Sequence, residues 1–187
     1  MMTHREALDV LARHRGDRVV ITTMTSAGIW PDLSDTPLDF QYLPSSMSQA
    51  VPLGWGLALT GRGVIVVSGD GSMLMNLGCL ATIAAHPTDV FVIIMDNGLY
   101  EVTGGQPTAG AGRVDFAAVA RGCGISRTYA FASFDEWTIG AAEALGGPGP
   151  VVISLKVEGR LDQKTPRPRR PMPEQIARLM SALQSPV

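Results

Sequence analysis

The sequence predicts an α/β fold, a mostly parallel sheet with helices on both faces, and three observations predict it. Four short apolar runs, "RVVITT", "VIVVS", "VFVIIM" and "PVVISLKV", lack the polar alternation of a half-exposed strand, so they read as strands buried on both faces. Segments of helical periodicity separate them, and a strand that returns to its sheet after a helix pairs parallel through a right-handed crossover. The 187 residues are 45% apolar with 21 Gly and 13 Pro, which suits one core of ordinary size.

Thr3 and Glu6 have capping-box spacing, and Ala7, Leu8, Leu11 and Ala12 recur at helical intervals, so the first element is an amphipathic helix. "RVVITT" is the first strand and a short one lies near "DFQYL". A small-residue helix, "SQAVPLGWGLALTG", leads to the strand "VIVVS", and one helix, "SMLMNLGCLATIAAH", runs on until Pro87 stops it. After "VFVIIM" come about eighteen residues, "DNGLYEVTGGQPTAGAGR", expected as a functional loop because ordinary connections are shorter. Asp115 can cap a helix "FAAVARGCG", Ser133 and Glu136 form a second capping box, and "PVVISLKV" is the last strand. Residues 1–160 are read as the ligand-binding domain and 161–187 as a tail and final helix. Its basic "KTPRPRRP" cluster is expected to be a solvated tail, the alternative being a segment folded over an anionic active site.

Charge and composition exclude several functions. The formal net charge is −2 and the basic residues are scattered apart from that short C-terminal cluster, so no nucleic-acid footprint stands out. The longest apolar run is far too short to span a bilayer, and "MMTHREALDVLARH" lacks the apolar segment of a signal peptide. A soluble, cytoplasmic protein is expected. Cys79 and Cys123 show no paired spacing and are read as reduced structural thiols. His4, His14 and His86 have no metal-ligand spacing and are read as surface or helix-end residues.

The chemistry concentrates at "VIVVSGDGSMLMNLG". Ligands of parallel sheets bind beyond the carboxyl ends of the strands, and here one strand delivers Asp70 while the next delivers Asp96 and Asn97. Asp70 and Asn97 are 27 residues apart, yet one strand–helix–strand unit makes them neighbours. A carboxylate and an amide oxygen are hard ligands for Mg²⁺ or Ca²⁺. Gly69 and Gly71 permit close backbone approach, and Ser72 opens a helix whose N–H groups favour an anion. A metal-bound phosphate or diphosphate fits this set. Taken singly, Gly-Asp-Gly and Asp-Asn-Gly are common turns; their joint placement carries the reading.

"GDGS", succeeded at the right interval by "MDNGLY", resembles the signature of thiamine diphosphate enzymes, with Asp96 in place of the first Asn of the usual pair. "GDGSMLMNLGCLATIA" and "DNGLYEVTGGQPT" are similar to the small, separately encoded subunits of sulfopyruvate and phosphonopyruvate decarboxylases. The resemblance implies a thiamine diphosphate-binding fold in which Asp70, Asn97 and the main-chain oxygen of Leu99 bind Mg²⁺, while Gly69, Gly71 and Ser72 hold the diphosphate. "LPSSMSQAVPLGWGLAL" resembles the segment that bends the cofactor, with Met47 between its rings and the Ser45 carbonyl facing the aminopyrimidine; Ser45 and Ser48 stand where relatives usually have Gly. Thr25, Ser26 and Tyr100 are further cofactor contacts, and Thr103 and Gln106 substrate contacts, with Arg113 a candidate for an acidic tail.

The resemblance covers only the diphosphate-binding half of such enzymes. The glutamate that activates the cofactor belongs to a second, pyrimidine-binding domain, and Glu101, Glu136 and Glu158 match no such motif. A pyrimidine-binding partner subunit and a hetero-oligomer are implied. The implied reaction is decarboxylation of a 2-oxo acid, sulfopyruvate or phosphonopyruvate before pyruvate, to an aldehyde and carbon dioxide, with the cofactor as electron sink. Glu101 and Val102 depart from the residues common there in those decarboxylases. A carboligase of the acetolactate synthase type and a non-catalytic regulatory subunit are the alternatives. A phosphoacceptor receiver domain needs an acidic pair after its first strand, and "VVITTMTSAG" has none.

Overall fold

In the computed structural model, which describes residues 1–45, 47–161 and 164–184, the four apolar runs become the central strands of one sheet. Ser46 and, within the expected tail and final helix, residues 162–163 and 185–187 lie outside the described residues. The strands are β1 (Val19–Thr22), β2 (Asp39–Gln41), β3 (Val64–Gly69) and β4 (Val90–Asp96), then β5 (Leu99–Tyr100) and β6 (Gln106–Pro107), then β7 (Arg127–Phe131) and β8 (Val151–Lys156). Six of them pair in the order β2-β1-β3-β4-β8-β7, every pair parallel. β5 and β6 form a separate antiparallel ribbon.

The helices are α1 (His4–His14), α2 (Met24–Ile29), α3 (Ala50–Ala58), α4 (Asp70–Leu74), α5 (Gly78–Ala85), α6 (Phe116–Gly122), α7 (Phe134–Leu145) and α8 (Met172–Gln184). Successive strand side chains enter opposite layers, which is why the runs are apolar without alternation. Val20, Ile65, Val67 and Ile93 pack with Leu8, Leu11, Trp30 and Trp137 beneath α1 and α7. Ile21, Val64, Val66 and Val92 pack with Val51, Leu80, Ile83 and Phe116 beneath α3, α5 and α6. Gly54 lets α3 lie directly on β3: a Cβ there would be 2.1 Å from Val66 Cγ2.

The predicted caps form. Thr3 and Glu6 cap α1 reciprocally, Ser133 and Glu136 do the same for α7, and Asp115 Oδ1 accepts from Ala118 N at 2.9 Å.

Elsewhere the structure departs from expectation. The single helix after β3 is two, α4 and α5, and it begins at Asp70 rather than Ser72. The break falls at Asn76, whose side-chain amide donates to the Ser48 carbonyl at 3.3 Å, just before the weak helix former Gly78. The expected long loop contains the β5–β6 ribbon, joined by a 3-10 turn over Glu101–Thr103 and by Gly104 and Gly105, both at positive φ. α2 and the edge strand β7 have no counterpart in the sequence pattern; "RTYAF" is only half buried and carries no apolar run.

The "KTPRPRRP" cluster is mostly exposed, as expected, yet it is docked rather than free. Arg169 pairs with Asp32 and Arg170 with Asp35, while a Cβ on Gly28 of α2 would sit 2.9 Å from Pro166 Cβ. Gln175 Oε1 accepts the edge N–H of Gln41 in β2 at 2.8 Å, which satisfies a donor at the sheet edge. Cys79 is buried and its thiol is pushed up to about 11; Cys123 is half buried, and both are free. Among the described residues no helix is long and apolar enough to cross a membrane.

The far edge of the sheet hangs on one buried ion pair. Arg15 Nη1 donates to Asp39 Oδ1 at 2.6 Å, and the same carboxylate accepts from Trp30 Nε1, Ser34 Oγ and Thr36 N. Burial pushes the Arg15 guanidinium below its usual range, and Asp39 holds it up. Asp39→Ala strands a buried cation, so urea unfolding should show a loss of about 3–5 kcal/mol. A loss below about 1 kcal/mol would show that water replaces the carboxylate there.

Candidate functional site

Parallel pairing in register sends β1, β3 and β4 to the same carboxyl edge, and the segments leaving them line one half-open cleft. β1 runs into Thr23–Ser26, β3 into the turn Gly69–Ser72, and β4 into Asn97–Thr103, while Met47 comes from the segment before α3. The topology thus gathers Thr25, Ser26, Met47, Gly69, Asp70, Gly71, Ser72, Asn97, Leu99, Tyr100 and Thr103 around one space.

Asp70 is the centre of the polar wall and only 2% exposed. Its Oδ2 accepts from Gly98 N at 3.1 Å and from Thr108 Oγ1 at 3.0 Å. Burial pushes the carboxyl above the usual carboxylate range; the hydrogen bond from Thr108 and the N–H groups of Gly71 and Gly98 oppose the rise, and the charge of Asp96 adds to it. Asp96, where the sequence pattern expects an amide, turns to Lys156 and forms an ion pair instead. Asn97 Oδ1 accepts from Leu99 N at 2.9 Å, which folds the chain after β4 tightly toward the cleft. No group of three or more His, Cys, Asp and Glu able to hold a metal occurs among the described residues. One buried carboxylate supported by neutral donors, beside the Asn97 amide oxygen and the Leu99 peptide carbonyl, fits a hard cation that takes its remaining ligands from water and phosphate.

Gly71 is where a side chain cannot stand, since a Cβ would lie 2.4 Å from Tyr100 Cε1. The Tyr100 ring therefore covers the turn that Asp70 and Ser72 occupy. Ser72 Oγ accepts from Ser48 N at 2.8 Å, leaving its proton for an anion. Ser48 itself holds φ at +75°, a left-handed conformation that favours glycine. A serine is thus strained where the resemblance places Gly in relatives.

Three sequence candidates fall outside the cleft wall. Ser45 lies one step behind, its Oγ contacting Met24 Sδ at 3.8 Å. Gln106 is exposed opposite Tyr100 in the ribbon, and Arg113 is exposed beyond it. Two residues not assigned a role line the cleft instead, and a third supports Asp70 from behind it. Glu101 is 5% exposed; its carboxylate accepts from Thr25 Oγ1 and, at 2.7 Å, from Arg160 N. His4 is 8% exposed and lines the cleft, so the surface reading fails for it. Thr108 reaches Asp70 from the end of "TGGQPT". Thr108 closes the stretch from which only Thr103 and Gln106 were read, so its position at a turn end was the one available signal; nothing local marks His4, which the packing of α1 brings in.

Residues 23–155 match the C-terminal TPP binding domain of thiamine pyrophosphate enzymes. The chain belongs to that family. It is 41% identical over 162 residues to a phosphonopyruvate decarboxylase of Streptomyces hygroscopicus, covering 86% of this chain and 40% of that protein. It is 37% identical over 152 residues to the sulfopyruvate decarboxylase subunit beta of Methanothermobacter thermautotrophicus, covering 79% of each. A solved thiamin diphosphate-dependent enzyme from Mycobacterium smegmatis, described as putative, superposes with a TM-score of 0.69 at 25% identity, over 85% of this chain and 32% of that one. The chain therefore spans about two fifths of the Streptomyces relative's length and most of the methanogen subunit's. The family's fold is this parallel sheet, and the cleft at its carboxyl edge contains the Gly-Asp-Gly turn.

Burial pushes the His4 imidazole below its usual value of 6.5; the charge of Glu101 opposes this, that of Arg160 adds to it, and the Glu158 backbone accepts a hydrogen bond. With its folded pKa depressed, His4 binds its proton more readily in the unfolded chain, so the stability it contributes is present above about pH 6.5 and is lost as pH falls below it. His4→Gln should flatten the loss of unfolding free energy between about pH 6.5 and 5. An unchanged slope would place the acid sensitivity in other groups.

Proposed function

We propose that this chain is the diphosphate-binding component of a thiamine diphosphate-dependent decarboxylase of a short 2-oxo acid, working with Mg²⁺ and with a pyrimidine-binding partner subunit. One observation carries the reading: Asp70 at the tip of β3 and Asn97 and Leu99 just past β4 meet in a single cleft, in a chain of this family. Asp70, Asn97 and the Leu99 carbonyl would hold the metal. The Ser72 hydroxyl would hold the diphosphate, with Gly69 and Gly71 leaving room for it; the Gly71 N–H faces the Asp70 carboxylate. Met47 and Tyr100 supply apolar walls, Thr25 and Ser26 line the opposite side, and the Ser45 carbonyl would receive the aminopyrimidine.

Thiamine diphosphate, when bound, supplies the electron sink that lets a 2-oxo acid lose carbon dioxide. The chain's own part is to bind, orient and exclude water. Asp70 and Glu101 are the two carboxylates lining the cleft among the described residues, and both are already engaged, Asp70 by Thr108 and Gly98 and Glu101 by Thr25 and Arg160. That supports an activating glutamate on the partner. The "subunit beta" name of the methanogen relative supports a divided enzyme as well.

The names of the relatives support phosphonopyruvate or sulfopyruvate as substrate. Thr103 on the ribbon turn lines the cleft and would turn its hydroxyl from the Tyr100 carbonyl to such a tail, and Glu101 does not present a free carboxylate against it, because both oxygens are held toward α2 and the segment after β8. Gln106 and Arg113 would need to swing inward to help. A carboligase of the acetolactate synthase type would use the same anchors and differ in the acceptor it admits.

Two outcomes test the proposal. Asp70→Ala should abolish Mg²⁺-dependent thiamine diphosphate binding in isothermal titration while the circular dichroism spectrum stays unchanged; wild-type affinity in the variant would remove Asp70 from the site. The purified chain alone should not decarboxylate 2-oxo acids, and adding the partner subunit should restore turnover, with kcat/KM higher for phosphonopyruvate or sulfopyruvate than for pyruvate or 2-oxobutyrate. Full activity of the chain alone would overturn the division of labour, and a preference for neutral tails would overturn the substrate.

A further inference from the structure

Thr108 spends two different atoms on two different parts of the cleft. Its hydroxyl donates to Asp70 Oδ2 at 3.0 Å, and its methyl faces the Gly-Asp-Gly turn, where a Cβ on Gly71 would be 3.1 Å from Thr108 Cγ2. Its own N–H donates to Gly98 O at 2.8 Å, and Gly98 N donates to the same Asp70 oxygen at 3.1 Å. Thr108, Gly98 and Asp70 thus close a ring of three hydrogen bonds that joins the end of β6, the chain after β4 and the tip of β3. Thr108 is only 4% exposed, so water does not compete for the donor.

A carboxylate turns about its Cβ–Cγ bond unless something holds its plane. Two donors on Oδ2, Thr108 Oγ1 and Gly98 N, hold it, and the Gly71 N–H also faces the carboxylate. We propose that Thr108 is a positioning residue of the metal–diphosphate site: with the Gly98 N–H it anchors Asp70 Oδ2 and fixes the plane in which the carboxylate meets a divalent cation. The proposal rests on the reading of Asp70 as a metal ligand. Partners behind a metal ligand typically affect metal affinity 10- to 100-fold.

Thr108→Val keeps the methyl and removes the donor, whereas Thr108→Ser keeps the donor and removes the methyl. The measurement is the Mg²⁺ concentration that half-saturates thiamine diphosphate binding by the metal-stripped full chain, assembled with its partner, monitored by isothermal titration. The Val variant should need roughly 10- to 100-fold more Mg²⁺ and the Ser variant nearly the wild-type amount. Should Val misfold, the Ala and Ser variants differ only in the hydroxyl and must show the same contrast. Equal Mg²⁺ requirements for the Val and wild-type proteins, or equal losses in Ala and Ser, would assign Thr108 to packing and overturn the proposal. Wild-type binding that ignores Mg²⁺ altogether would instead remove the metal reading on which it rests.

Discussion

Everything at the cleft depends on the parallel register of β3 against β4. Gly69 lies opposite Met95, so the two strands run out of sheet within one residue of each other, and the segments leaving them emerge side by side. Asp70 comes from the first and Asn97 from the second. A slip of one residue would invert the facing of Val64–Val67 and turn a buried apolar face into the wrong layer, so the hydrophobic core itself fixes where the carboxylate stands. The energy that holds the site is mostly the energy of the sheet: Ile65, Val66, Val67, Val92, Ile93 and Ile94 are all fully buried.

Beyond that register, polar links between the connecting segments give the cleft its walls. Ser48 N on Ser72 and Asn76 on the Ser48 carbonyl fasten the segment carrying Met47 to the turn after β3. Glu101 joins α2 to the chain after β8, and Gly159 lies so close to Leu99 that a Cβ would be 2.6 Å from its Cδ1. The segment after β8 then crosses α2 at Gly28 and docks on the acidic edge through Arg169 and Arg170. These links carry a cost: a Ser at positive φ and a carboxylate, Asp70, held out of water both spend stability on geometry. Backbone strain gathers at the edge where a ligand is expected, with Met24 and Ser48 both at positive φ, whereas buried charge is divided between Asp70 there and the Arg15–Asp39 pair at the far edge.

What the sequence determined by itself was the set of features whose cause is local. Continuous apolar runs mark strands covered on both sides; Thr3 with Glu6 and Ser133 with Glu136 mark helix starts, because each cap is made within four residues; Gly-Asp-Gly and Asp-Asn-Gly mark turns at strand ends. Topology then comes from chain handedness, which is why Asp70 and Asn97 were legible as neighbours. Tertiary structure alone decided the rest. Nothing near His4 says that α1 will present it to the cleft, and nothing near Asp96 says that Lys156, from the adjoining strand, will take its charge. β7 is a strand only because β8 offers it an edge, and the helix after β3 breaks because Asn76 finds a carbonyl 28 residues away. Glu101, which read as a departure from pattern, becomes a clasp once Thr25 and Arg160 reach it. A side chain's role is written locally when its partner is a few residues along the chain; when the partner arrives from another element, only the packed fold can assign it.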